Sequence, residues 1–176
     1  MSAIRFKAKL YKPDPTQKIG PWTLITLPKE ASTQLPSRGM TSVEGTISNS
    51  RFRAVLQPDG QGSHWFRVNK TMQGAAGVGV GDTIALEIEP TKVWPEPEVP
   101  MDLKNALATD PQAHALWEDI TPMARWEWIN WMDIVKQNET RKVRPKKLCS
   151  MLKSGKRRPC CFNRALLATP RSAELL

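Results

Sequence analysis

The sequence predicts an α+β protein: a small, pseudo-twofold β barrel of about six strands with two short capping helices, followed by an all-helical C-terminal tail. Three observations carry that expectation. Before Pro90, runs of residues alternate apolar and polar at period two, the spacing of strands with one buried face. These runs fall into two sets of the same order (strand, strand, short helix, strand), and an offset of 42 residues lays Trp22 on His64, Leu24 on Phe66, Thr26 on Val68 and Gly39 on Gly81. After Pro100, Asp110-Pro111 and Thr121-Pro122 each pair a capping residue with proline at a first helical position.

Taken in order, Ile4, Phe6, Ala8 and Leu10 alternate with charged residues as a strand with one wet face, ended by Pro13-Asp14-Pro15. Residues 22–27 are apolar on both faces, which predicts a central strand. Pro28 to Ser32 reads as a short helix with proline in its first turn. The next strand, 41–48, leads to a hairpin of 51–57 and 63–69 around Pro58-Asp59-Gly60-Gln61-Gly62, whose composition is that of a tight turn. A short helix from Lys70 to about Ala76 and a strand at 83–89 complete the second set. Gly77-Val78-Gly79-Val80-Gly81 lacks the lysine of a phosphate loop and the flanking elements of a dinucleotide fingerprint, so it reads as a link.

Three prolines in Val93–Pro100 preclude a helix and suit an extended connector. The domains expected are therefore a barrel at 1–92, a connector at 93–100, a helical region at 101–163 and a frayed tail at 164–176. In the helical region Asp102, Asp110 and Thr121 are the expected caps. The third helix, running to about Gln137, places Ala124, Trp128, Trp131, Met132 and Val135 on one face and Trp126 off it. That face is expected to pack on the barrel or on the neighbouring helices. A fourth helix, from Glu139 to Gly155, contains Pro145, which predicts a kink or a start at Arg144 or Pro145.

Net charge is +9, unevenly spread. Lys and Arg against Asp and Glu number 12 to 7 in residues 1–92, 3 to 8 in 93–138 and 11 to 2 in 139–176. A basic end suggests an anionic partner or a solvated face. The run from Arg141 to Arg158 is poor in aromatics, so nucleic-acid binding there would be non-specific phosphate attraction. No run is long and apolar enough for a membrane span, and Met1–Lys7 lacks the apolar core of a secretory signal, which predicts a cytoplasmic protein. Cys149, Cys160 and Cys161 read as reduced thiols; with only His64 and His114 as imidazoles, no metal and no cofactor is expected.

Val43-Glu44-Gly45-Thr46-Ile47, Phe52-Arg53, the Pro-x-Gly-x-Gly-x-His run ending at His64, Val68-x-Lys70 and Gly81-Asp82 resemble a bacterial family of small double-split barrels of unknown function. Glu139-Thr140-Arg141, Met151-Leu152 and Gly155-Lys156-Arg157-Arg158-Pro159 resemble the helical tail called YdeI/OmpD-associated, or bacteriocin-protection. The first resemblance implies a fold shared with AbrB-type transcription factors. Those factors are intertwined dimers, whereas two half-barrels in one chain would close as a monomer.

The candidate ligand-binding residues are His64, inward by parity with Phe66 and Val68; Arg53, Arg67 and Lys70, a cross-strand cationic group able to hold a carboxylate or phosphate; and the aromatic Trp22 and Trp126. No nucleophile or carboxylate is placed beside His64 by any motif, and no catalytic residue is assigned. The function expected is a non-catalytic binding module for an anionic small molecule, a peptide or a protein, as the bacteriocin-protection resemblance implies. The alternatives are a nucleic-acid-binding regulator of AbrB type and an enzyme centred on His64.

Overall fold

The computed structural model describes residues 3–13, 22–133 and 138–159. They form two compact units that meet in sequence between Pro95 and Glu96. The first is a six-stranded, curled antiparallel sheet of β1 (Ile4–Lys9), β2 (Thr23–Thr26), β3 (Thr41–Ile47), β4 (Ser50–Pro58), β5 (His64–Val68) and β6 (Thr83–Pro90), with the short helices α1 (Lys29–Ser32) and α2 (Lys70–Ala76). The strand order is β1-β6-β3-β4-β5-β2.

The expectation of a central second strand is corrected, since β2 lies at one end of this order. Its outer side is nonetheless bonded. Tyr11, just past β1, donates to Leu24 O at 3.0 Å and accepts from Leu24 N at 2.8 Å, joining the two ends of the sheet. The ring then has six joins, and exchanging β1 with β4, β2 with β5 and β3 with β6 turns that set into itself. The repeat read from element order is thus also a repeat of pairing. The two joins that the exchange relates, β1 to β2 and β4 to β5, are the short ones: a single bridge, and the pairs Gln57↔Trp65 and Pro58↔His64. These are the splits of the barrel.

Inside, Ile25, Leu27, Val43, Ile47, Leu56, Phe66, Val68, Ile84, Leu86 and Ile88 form one buried cluster. Phe52 stacks on Phe66 with ring centroids 5.6 Å apart. Two turns show why the hairpins close where they do. Ser48 (φ 45°) and Asn49 (φ 70°) are both left-handed, as a two-residue turn matching strand twist requires. In the Pro58–Gly62 turn the Asp59 carboxylate accepts from the amides of Gln61 and Ser63, at 2.8 and 2.9 Å, while Gly60 and Gly62 take φ of 76° and 91°.

The second unit consists of α3 (Met101–Ala108), α4 (Pro111–Asp119), α5 (Pro122–Asp133) and α6 (Asn138–Lys153). Asp110 and Thr121 cap as expected, accepting from Ala113 N and Ala124 N. Asp102 does not cap: α3 begins at Met101, with Pro100 at the cap position, which puts Asp102 inside the first turn. Trp117, Ala124, Trp128, Trp131 and Met132 are buried in this unit's own core with Leu103, Leu107, Leu148 and Leu152. Val135, Cys160, Cys161 and the tail at 164–176 lie outside the described residues.

Helix α6 runs through Pro145 without a break. The lost amide bond is offset because Pro145 is itself buried, Leu148, Cys149 and Leu152 anchor the following turns, and Arg144 anchors the preceding one, its guanidinium 3.9 Å from the Trp131 ring centroid.

Candidate functional site

His64 stands at the start of β5 and is 1% exposed. Its Nε2 lies 2.9 Å from Gly39 O, an acceptor only, so Nε2 carries the proton and Nδ1 accepts from Ser32 Oγ at 2.6 Å. Ser32 is also fully buried, and Arg38 donates to both its carbonyl and, at 3.5 Å, its hydroxyl. Ser63 Oγ donates to Leu27 O at 2.6 Å alongside. Burial lowers the His64 pKa, opposed by the bond to Gly39 and reinforced by nearby Arg38. A serine hydroxyl on an imidazole is a nucleophile-and-base contact in chemical type. Here it is closed off from solvent, and both ring nitrogens are occupied by the protein. The arrangement ties α1, the loop at Gly39 and the β5 start together.

The other candidates are dispersed. Arg67 stacks over the half-buried Trp22, its guanidinium carbon 4.3 Å from the ring centroid. Lys70 opens α2 and is exposed. Trp126 belongs to the helical unit and is half-buried. Arg53 faces Glu44 directly across the β3–β4 ladder and bonds it at 3.4 Å. It has no register partner on β5, because the β4–β5 ladder is confined to residues 57–58 and 64–65.

Arg53 instead lines a trough of about 530 Å³ on the outer face of β4, β3 and β6. Register builds it. Arg53, Glu44 and Glu89 form one row across the three strands, and Arg51, Thr46 and Glu87 a second. Between them the row Phe52, Gly45, Ile88 presents its backbone as the floor, its side chains being turned inward. Gly45 permits this shape: a Cβ there would stand 1.8 Å from Glu87 O. Only a residue without a side chain lets β3 and β6 approach so closely.

Glu87 is tied to Arg5 at 3.1 Å. The side chains of Arg51 and Glu89 have no ion-pair or hydrogen-bond partner among the described residues. The trough therefore holds a cationic β4 end and an acidic β6 end, each with one uncommitted charge. Nothing local in the sequence brings Arg51 and Glu89 together, because they meet only through the β3–β6 ladder, which joins positions about forty residues apart.

The basic run of α6 presents a different picture. Arg141 pairs with Asp102, Lys153 with Asp110, Arg157 with Asp119 and Arg158 with Glu127, at 2.6, 2.7, 2.9 and 3.8 Å. The Lys153 contact lowers the Asp110 pKa and raises that of Lys153. The acidic and basic segments of the sequence thus meet within one unit. Lys142, Lys146, Lys147 and Lys156 remain exposed.

No helix among the described residues is long and apolar enough to cross a membrane. No curated protein matches the chain. Residues 6–88 match the family model Domain of unknown function (DUF1905), and residues 96–155 match Bacteriocin-protection, YdeI or OmpD-Associated. The barrel thus carries the first match and the helical unit the second: one unit is similar to a domain family of unknown function, the other to the YdeI/OmpD-associated, bacteriocin-protection family.

Proposed function

We propose that this chain, whose helical unit is similar to a bacteriocin-protection family, is a non-catalytic binding module whose ligand presents an anionic group, carboxylate or phosphate, to Arg51 and Arg53. The observation that carries the reading is the trough itself, where two guanidinium groups from one strand share a wall and Arg51 is uncommitted. Guanidinium forks match planar anions, and a concavity strengthens such a contact over the same pair on a flat surface. The absence of a catalytic role is supported by His64 and Ser32, whose polar atoms are spent on each other and on backbone, away from solvent.

An amide-detected NMR titration with sodium acetate and with inorganic phosphate tests it. The expected shifts are saturable, centre on residues 44–46 and 51–53, and vanish in the Arg51→Gln/Arg53→Gln double variant while persisting in His64→Gln. Shifts confined to Lys142–Lys156, or none, would overturn the proposal.

A further inference from the structure

Resting on that reading, the geometry points to a narrower ligand: we infer that the trough takes a short peptide of about three residues by its two free termini, carboxylate at the β4 end and ammonium at the β6 end. A purely anionic ligand leaves half of the site unexplained. Opposite Arg51 and Arg53 stand Glu87 and Glu89, in register across β3, so an anion long enough to cross the trough meets like charge at its far end. A ligand with opposite charges at its two ends meets opposite charge at both.

The spacing sets the length. Two inter-strand gaps separate β4 from β6, about 10 Å. An extended chain advances roughly 3.3–3.6 Å per residue, so about three residues bridge the two ends. A single amino acid is too short to reach both, and a long peptide cannot place both termini. The volume of about 530 Å³ accommodates such a ligand, and the floor at Phe52, Gly45 and Ile88 has no outward side chain to obstruct it. The two uncommitted groups, Arg51 and Glu89, lie at opposite ends and in opposite rows, so an occupant contacting both crosses the trough on the diagonal.

The test is calorimetric titration of the full chain with di-, tri- and penta-alanine, and with tri-alanine that is N-acetylated or C-amidated. Tri-alanine is expected to bind best, and blocking either terminus to weaken it about fivefold, the upper range for a partly exposed ion pair. Arg51→Gln should reproduce the effect of amidation, and Glu89→Gln that of acetylation. Both side chains are at the surface, and an unchanged melting temperature verifies that each variant folds. Affinity that rises steadily with length, or that ignores N-acetylation, overturns the inference. If acetate still binds through Arg51 and Arg53 in that case, the broader reading stands. Loss of the acetate response as well removes both.

Discussion

The barrel and the helical unit spend their charged side chains on different tasks. In the barrel, strands are joined by backbone ladders, so the architecture is complete before any outer side chain is considered. Arg51 and Glu89 are consequently left over. In the helical unit every ladder is internal to its helix, and joining the helices requires side chains. Arg125 shows this most clearly. Buried on α5, it donates to the carbonyls of Trp117, Glu118 and Ile120 at the end of α4, and to both Glu96 carboxylate oxygens at 2.6 Å. Arg157 and Trp128 repeat the device, Trp128 Nε1 donating to Arg157 O at 3.0 Å and Arg157 reaching Asp119. The lesson is that a charge-rich segment signals an external partner only where the fold leaves its charges uncommitted. By that measure the pairs at Arg141, Lys153, Arg157 and Arg158 discount part of the basic run, whereas the trough sets Arg51 and Glu89 at the two ends of one concavity.

The contrast can be broken most forcefully at Gly45. Alanine there must displace Glu87 backbone that two ladders hold, so Gly45→Ala is expected to cost about 3 kcal/mol or more, the upper range for overpacking. Equilibrium urea unfolding measures it; a loss below about 1 kcal/mol would mean that the strands separate easily and that backbone ladders do not dictate the barrel.

A smaller effect, in the other unit, is expected at Arg125. Arg125→Met keeps the packed stem and removes the fork, leaving three carbonyls at the end of α4 without their donor, at roughly 2 kcal/mol. Arg125→Lys should recover little of this, because one ammonium cannot span the same acceptors. Full recovery by lysine would show that charge, and not the fork, joins the helices.

The smallest effect sharpens the reading of His64. Its folded pKa lies below the ordinary imidazole value, so the unfolded chain binds the proton more readily. The stabilisation is therefore fully present above about pH 6.5 and declines as pH falls through that value toward the folded pKa, by ~1.4 kcal/mol for each unit of depression. Chemical unfolding of wild type and His64→Gln between pH 5 and 7.5 should show a difference that shrinks on acidification. A parallel pair of curves would place the imidazole in contact with solvent and would reopen a chemical role for Ser32.

By itself the sequence determined the elements and their order. Period-two alternation, the Pro58–Gly62 turn, and the caps at Asp110 and Thr121 are local signals, each decided by residues within a few positions, and they survive folding because nothing distant opposes them. Even the pairing symmetry was foreshadowed, since two sets in the same order fold by the same rules. Tertiary structure alone decided what lies opposite what. Ser32 reaches His64 across 32 residues, Glu89 reaches the row of Arg53 through β3, and Asp102 finds Arg141 through 39 residues of helix and turn. Pro145 stays helical because its neighbours are packed, although its own preference points the other way. Local propensity depends on the chain's own steric and hydrogen-bonding rules; a site is a coincidence of separate segments in space, and that coincidence exists only once the segments have packed.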